Sequence, residues 1–313
     1  MEMYAFALDE VGRTFVRALS DAGRRGVRVR VILDGWGSRH DGSNIVAELE
    51  AAGCVASMHN PFSRIMAGKW GCNHRKLLVV DERTAFVGGI NIGKTFETWE
   101  DLAVVIHGPA CANVVRRGRR SARCITPPSV RILMSGFGAG GRLRLAYLDA
   151  IRTARERIVI AHSYFLPDAG ILRALRKAAR RGVKVTLLLP HESDVPIARL
   201  GTTELYRRLL RAKVMVYERW GRILHTKVAI VDGQLSLVGS FNLDPLSLTN
   251  LEVLVRIHDA RFGAELEQWV VSRLQHARLV TQVQPGLQSA VLEQIGRGVR
   301  ALGFLLVRGR RGR

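Results

Sequence analysis

Residues 74–91 read HRKLLVVDERTAFVGGIN, and residues 225–242 read HTKVAIVDGQLSLVGSFN. A constant offset of 151 carries His74 onto His225, Lys76 onto Lys227, Asp81 onto Asp232, Gly88 onto Gly239 and Asn91 onto Asn242. The same offset carries Asp101 onto Glu252, so each histidine has a carboxylate 27 residues later. Upstream, RRGVRVRVILD at 24–34 parallels RRGVKVTLLLP at 180–190 with an offset of 156, a difference that one loop five residues longer accounts for. Tyr4 in MYAFALD and Tyr164 in SYFLPD extend the match toward the start of each copy. Self-similarity over such a span marks a duplicated structural unit.

Each copy reads as strand, helix, strand, helix, then further strands. Phe15 to Ala22 and Ile171 to Ala179 have apolar residues at helical spacing, and each runs into a basic Arg-Arg-Gly stop. Val27 to Leu33 and Val183 to Leu189 have the β-branched, apolar character of buried strands. Helices are expected over 44–52 and 197–212, and strands at Cys54 to Met58, Val214 to Tyr217, Leu77 to Val80, Val228 to Val231, Phe86 to Val87 and Ser236 to Val238. Alternating strands and helices predict an α/β layered sandwich. The Pro-rich break at Thr126-Pro127-Pro128-Ser129 divides the chain into a first lobe (1–126) and a second lobe (127–280), followed by a basic tail (281–313).

With 313 residues, 47% of them hydrophobic, the chain can bury a substantial core and is not disordered throughout. Forty-eight Lys and Arg against 27 Asp and Glu leave a formal charge of +21, which favours an anionic partner: nucleic acid, an acidic membrane surface or a phosphorylated substrate. The longest apolar runs, such as Leu77 to Val80 and Leu302 to Val307, fall far short of the roughly 20 residues that span a bilayer. Met1 to Glu10 lacks the features of a signal peptide. Cys54, Cys72, Cys111 and Cys124 form no CxxC pair, which fits reduced thiols in a cytoplasmic protein. Cys72 and His74 have no further ligands at metal-site spacing, so no metal is expected.

In His-x-Lys on an extended strand, the two side chains project from one face and the intervening Arg75 or Thr226 points elsewhere. The small residues before each asparagine, Gly89 and Ser240 among them, allow close approach to a ligand. Lysine, asparagine and a small hydroxyl together suit phosphate oxygens, so Asn91, Asn242, Ser240 and Gly89 are candidate phosphate-binding or supporting residues. Two such lobes face to face would bring both histidines to one site. One would attack phosphorus while the other protonates the departing alkoxide. A carboxylate on the far ring nitrogen would fix the tautomer, and Asp101 and Glu252 are the candidates. Asp81 and Asp232 complete the repeated catalytic motif but follow the core strand at its turn, where bracing of local structure is expected rather than substrate contact.

The two intact blocks, His74, Lys76, Asp81 and His225, Lys227, Asp232, resemble the phospholipase D superfamily. Within it, the surrounding text is most similar to bacterial cardiolipin synthases, most specifically in the segment NLDPLSLTNLE at 242–252. The resemblance covers residues 1 to 280. It implies two α/β/α lobes related by a pseudo-twofold, a phosphohistidine intermediate and no required metal or other cofactor, with His74 the more favoured nucleophile. It also implies phosphatidyl transfer: phosphatidylglycerol gives its phosphatidyl group to histidine, and a second phospholipid hydroxyl takes it. Hydrolysis by a phospholipase D and cleavage of nucleic acid by a nuclease are the alternatives in the same superfamily, and the charge fits a nuclease equally well. Few aromatics (6%) argue mildly against stacking on single strands.

Three features depart from the long cardiolipin synthases. The two transmembrane helices of that type are not expected here, the first strand reads as clipped at MEMYAFALDEVG, and 110–130 is Arg-rich. The clipping is expected to affect the edge of the first lobe's sheet. Val115 to Arg123 holds five arginines and reads as a solvated helix face, with a lipid or phosphate contact as the sharper alternative. In the tail, Leu287, Val291, Ile295, Val299, Leu302 and Leu306 recur at helical spacing among arginines, a pattern that can lie in an anionic interface. The expected partners are therefore a phospholipid substrate and an anionic membrane surface, with nucleic acid disfavoured and the location peripheral at the inner face of the bacterial membrane.

Overall fold

The computed structural model describes residues 1–59, 71–115, 129–136, 139–282 and 298. The inter-lobe break at 126–128, the arginines of 116–123, Cys124 and the apolar stripe of the tail lie outside the described residues.

The duplication is written into the order of the strands. The first sheet contains β1 (Glu2–Met3), β2 (Arg30–Asp34), β3 (Val55–His59), β4 (Leu77–Val80), β5 (Thr84–Gly88) and β6 (Ala103–His107), in the order β3-β2-β1-β4-β5-β6. The second contains β7 (Val130–Met134), β8 (Arg157–His162), β9 (Lys184–Pro190), β10 (Met215–Arg219), β11 (Lys227–Val231), β12 (Leu235–Gly239), β13 (Val253–His258) and β14 (Ala277–Leu279). Its order is β14-β10-β9-β8-β11-β12-β13-β7, so the six middle strands repeat the first sheet and β14 and β7 flank them. In both sheets the first three repeated strands run parallel and the last three form antiparallel ladders.

The parallel strands require crossover helices. These are α1 (Glu10–Arg24) and α2 (Gly42–Ala51) in the first lobe; α3 (Ala112–Val115) follows β6. The second lobe has α4 (Gly141–Thr153), α5 (Ala169–Arg180), α6 (Pro196–Leu210) and α7 (Ala260–Leu274). Pseudo-equivalent α1 and α5 start on an aspartate: Asp9 accepts the Gly12 N–H, and Asp168 accepts those of Gly170 and Ile171. Both end at the repeated Arg-Arg-Gly, where Gly26 and Gly182 take positive φ (85° and 95°), a left-handed conformation that stops a helix at little cost to glycine.

Helices α1 and α2 bury Val16, Ile45 and Leu49 against Val31 and Leu33. In the second lobe, Tyr147, Leu175 and Leu205 from α4, α5 and α6 cover Ile158, Leu187 and Ala229. Between the sheets lies a shared core in which Leu77, Val87, Val104 and Ile106 meet Val228, Val238, Val253 and Val255, closed on one side by Leu266 and Val270 of α7. Burying one sheet face against the other fixes the two lobes relative to each other.

The shortened first strand lies in the centre of the sheet, not at its edge. β1 pairs two residues with β2 and one with β4, whereas its counterpart β8 pairs five with each neighbour. β2 starts at Arg30 rather than at Val27, whereas Lys184 at the start of β9 pairs with Arg157.

Asp232 sits at the end of β11 remote from His225, with φ 53°. Its carboxylate accepts the backbone N–H groups of Arg155, Glu156 and Arg157 at 2.8–2.9 Å, stapling the start of β8. These hydrogen bonds hold its pKa below the usual aspartate value despite partial burial. Asp81 occupies the matching turn after β4 at φ 52° and is exposed. Neither aspartate is hydrogen-bonded to a histidine, and Asp232 braces the start of β8. Asp232→Ala should cost about 2 kcal/mol in urea unfolding at pH 7. Because the folded pKa is depressed, that contribution is present above the ordinary aspartate pKa and is lost as pH falls through the folded value, so the wild-type advantage should shrink toward acid pH.

Candidate active site

The two histidines are joined to carboxylates of opposite lobes. His74 Nδ1 lies 3.1 Å from both carboxylate oxygens of Glu252, and His225 Nδ1 lies 2.6 Å from Asp101 Oδ2. Main-chain bonds impose this exchange. His74 N–H donates to Leu251 O and Leu251 N–H to Cys72 O, both at 2.9 Å. His225 N–H donates to Glu100 O and Glu100 N–H to Ile223 O, both at 2.8 Å. The resulting parallel bridges, Asn73 with Leu251 and Glu100 with Leu224, are related by the same offset of 151 that relates the sequence blocks. With Nδ1 committed to a carboxylate, Nε2 is the nitrogen each ring can offer to a substrate.

The lysines stand beside the rings at the starts of β4 and β11. Lys76 Nζ donates to His74 O at 3.0 Å, and Lys227 Nζ donates to His225 O. Each also lies over a tyrosine ring, Lys76 at 4.7 Å from Tyr4 and Lys227 at 5.9 Å from Tyr164. Those tyrosines in turn meet their own lobe's histidine edge-on, at 4.7 Å for Tyr4 and His74 and 6.1 Å for Tyr164 and His225. Trp99 adds a contact at 4.9 Å to His225. Repetition singled out Tyr4 and Tyr164, but only the structure shows that they wall the site.

Burial dominates the titration of this cluster. It pushes His225 down to about 4, reinforced by Lys227 and opposed by Asp101. It also lowers His74, with Lys76 adding to the effect and Glu252 opposing it. Lys76 is pushed down to about 7 by burial and by Lys227, and burial brings Lys227 to about 8 against the pull of Asp101 and other carboxylates. The imidazoles are therefore neutral at pH 7 and the lysines are poised to gain or lose a proton.

The remaining candidates divide by role. Asn91 Oδ1 accepts the Ala5 N–H at 3.3 Å and Asn242 Oδ1 accepts the Ser163 hydroxyl at 3.0 Å, which turns each amide nitrogen toward use as a donor. Ser240, in contrast, spends its hydroxyl on Glu252 Oε2 at 2.5 Å, and Ser247 donates to Glu252 Oε1 at 2.9 Å. Gly89, the counterpart of Ser240, makes room: a Cβ there would overlap the Asp101 carboxylate. Both small residues thus support the carboxylates. Arg75 points away from the site as its position predicts, bonding Glu2 at 3.1 Å, Glu252 O at 3.2 Å and Ser135 O. Thr226 reaches Ala161 O at 3.3 Å. Ser135 and Trp99 went unread in the sequence, and Ser247 was marked only as part of NLDPLSLTNLE, without a role. Among the described residues, no group of three His, Cys, Asp or Glu is arranged to hold a metal ion.

A family model described as "Cardiolipin synthase, PLD-like domain" matches residues 1–118 and 147–274. The chain belongs to this phospholipase D-like family. Cardiolipin synthase B of Escherichia coli K12 is 36% identical over 296 residues, covering 85% of this chain and 72% of that protein. Cardiolipin synthase of Geobacillus kaustophilus is 32% identical, covering 91% of this chain and 62% of its own length. Phosphatidylserine synthase of Haemophilus influenzae superposes with a TM-score of 0.74 at 15% identity, covering 97% of this chain and 89% of the other, which establishes the shared two-lobed fold.

In this phospholipase D-like site, an anion held between Lys76 and Lys227 would raise both lysine pKa values. Binding of inorganic phosphate at pH 8 should therefore take up protons, and affinity should fall as pH rises through 7 to 9. Calorimetry in two buffers of different ionisation enthalpy measures the uptake; equal heats and a flat affinity would contradict it.

Proposed function

We propose that this chain is a cardiolipin synthase-like phosphatidyltransferase that works at an anionic phospholipid surface. The observation that carries the reading is the pair of buried imidazoles, each backed through Nδ1 by the opposite lobe's carboxylate with a lysine alongside. Two such imidazoles suit two successive displacements at one phosphorus. With His74 as nucleophile, which the family resemblance favours, its Nε2 attacks the phosphorus of phosphatidylglycerol. The negative charge of the phosphodiester raises the pKa of His225, which takes up a proton as the substrate binds; the bond from phosphorus to the glycerol oxygen then breaks, and His225 delivers that proton from Nε2 so that glycerol leaves neutral. His225, now neutral, takes the proton from the hydroxyl of a second phosphatidylglycerol, whose oxygen attacks phosphorus. The bond to His74 breaks and cardiolipin is released.

Asp101 and Glu252 hold the tautomers and stabilise the imidazolium that forms at each stage. The lysines and the amide nitrogens of Asn91 and Asn242 meet the charge developing on the non-bridging oxygens. Water in place of the second lipid would give phosphatidic acid by the same route. The formal charge of +21 supports attraction to an anionic bilayer, and this reading places the protein peripherally at the inner face of the membrane. No described helix is long and apolar enough to cross a membrane.

The test offers phosphatidylglycerol vesicles and duplex DNA, separately, to wild type, His74→Ala and His225→Ala. Mass spectrometry should find cardiolipin and glycerol in equal amounts from wild type alone. Phosphatidic acid without cardiolipin would make the chain a hydrolase, and cut DNA with untouched lipid would overturn the substrate class.

A further inference from the structure

The two carboxylates that back the histidines are mounted differently. Glu252 receives two hydroxyls, from Ser240 and Ser247, and its backbone N–H donates to Ser135 Oγ at 2.8 Å. Among the described residues no hydroxyl supports Asp101: besides His225, it accepts the N–H of its neighbour Leu102 at 2.8 Å. The place of Ser240 is taken by Gly89, which supplies space and no donor. The direction of Asp101 is therefore set by the main chain that carries it.

That main chain is clamped one residue away. Arg219, the last residue of β10 in the second lobe, grips Glu100 of the first lobe in a two-point ion pair, Nε to Oε2 at 2.8 Å and Nη2 to Oε1 at 2.6 Å. The side chains are only 8% and 10% exposed, so the pair is shielded from the screening that weakens surface salt bridges. Arg219 is itself anchored to Trp220 O and His276 O. Glu100 also makes both main-chain bonds of the crossing to Ile223 and His225, and Trp99 beside it rests on the His225 ring. The offset that relates the lobes places Leu251, which cannot form an ion pair, where Glu100 stands.

We infer that Arg219 and Glu100 are positioning residues that aim Asp101 at His225, whereas on the His74 side the Glu252 carboxylate is aimed by Ser240 and Ser247 and its carbonyl is held by Arg75. The inference rests on the phosphatidyl-transfer reading for its substrate but not for its geometry. A salt bridge that merely joined the lobes would act on both histidines alike; this one acts through Asp101. Removing one partner would leave a buried charge uncompensated, so the informative variant removes both.

Glu100→Gln/Arg219→Gln should lower kcat on phosphatidylglycerol vesicles by about ten- to a hundredfold, with KM little changed. Added to Asp101→Asn it should cause no further loss, because the residue it acts through is already disabled. Added to Glu252→Gln its effect should multiply undiminished. Equal multiplication in both backgrounds would reduce the ion pair to a staple between lobes, and an unchanged kcat in the otherwise wild-type enzyme would overturn the inference outright. If the double variant does not fold, the same cycle is run with Arg219→Lys, which keeps the charge and loses the fork. Parallel assays on bis(p-nitrophenyl) phosphate separate the two claims: wild type that cleaves this diester but ignores phosphatidylglycerol refutes the lipid reading alone, and the cycle is then read on the diester.

Discussion

The hydrogen-bonded crossings at Asn73–Leu251 and Leu224–Glu100 carry the chemistry of the whole molecule, because each delivers a carboxylate of one lobe to the histidine of the other. Neither His74 nor His225 takes its carboxylate from its own lobe. The apolar core between the sheets supplies the free energy that keeps the crossings closed, with Val87, Val104, Val228 and Val255 buried on its two sides. Packing and catalysis are thereby tied together: a shift of one sheet against the other would misalign both imidazoles at once.

Concentrating two lysines, two histidines and two carboxylates in a dry cleft is costly, and the protein lowers the cost in two ways. It lets burial depress the pKa values of the bases, so that His225 at about 4 and Lys76 at about 7 need not both be charged at pH 7. It also spends the acceptor capacity of the carboxylates locally, on Ser240 and Ser247 in the case of Glu252. A phosphodiester entering this cleft supplies the missing negative charge. Preorganised donors in a low-dielectric site then act on the developing charge with little reorganisation, where electrostatic stabilisation is strongest.

Much of this was legible in the sequence because duplication repeats its chemistry. His-x-Lys, the following core strand and the distant carboxylate recur in register, and the helices ending in Arg-Arg-Gly recur with them. The exchange of carboxylates was not legible, since a spacing of 27 residues is the same whether Asp101 serves its own lobe or the other. Gly89 and Ser240 looked like phosphate contacts because small residues permit close approach without saying what approaches. The central place of β1 was hidden for a similar reason: the lateral order of parallel strands is set by crossover connections, not by local pattern. Helices α4 and α7 went unread even though a start signal was present for α7, where Asp259 accepts the Phe262 N–H. They lie outside the two aligned blocks, and repetition drew attention away from them.

The exchange itself can be tested on the imidazoles directly. Nitrogen-15 spectra of ring-labelled histidine report the hydrogen bond at each Nδ1, with His74→Ala and His225→Ala supplying the assignments. Asp101→Asn should move the Nδ1 resonance of His225 and leave His74 in place, and Glu252→Gln should do the reverse. If Asp101→Asn instead moved His74 and Glu252→Gln moved His225, each carboxylate would serve its own lobe, and the composite site described above would be wrong.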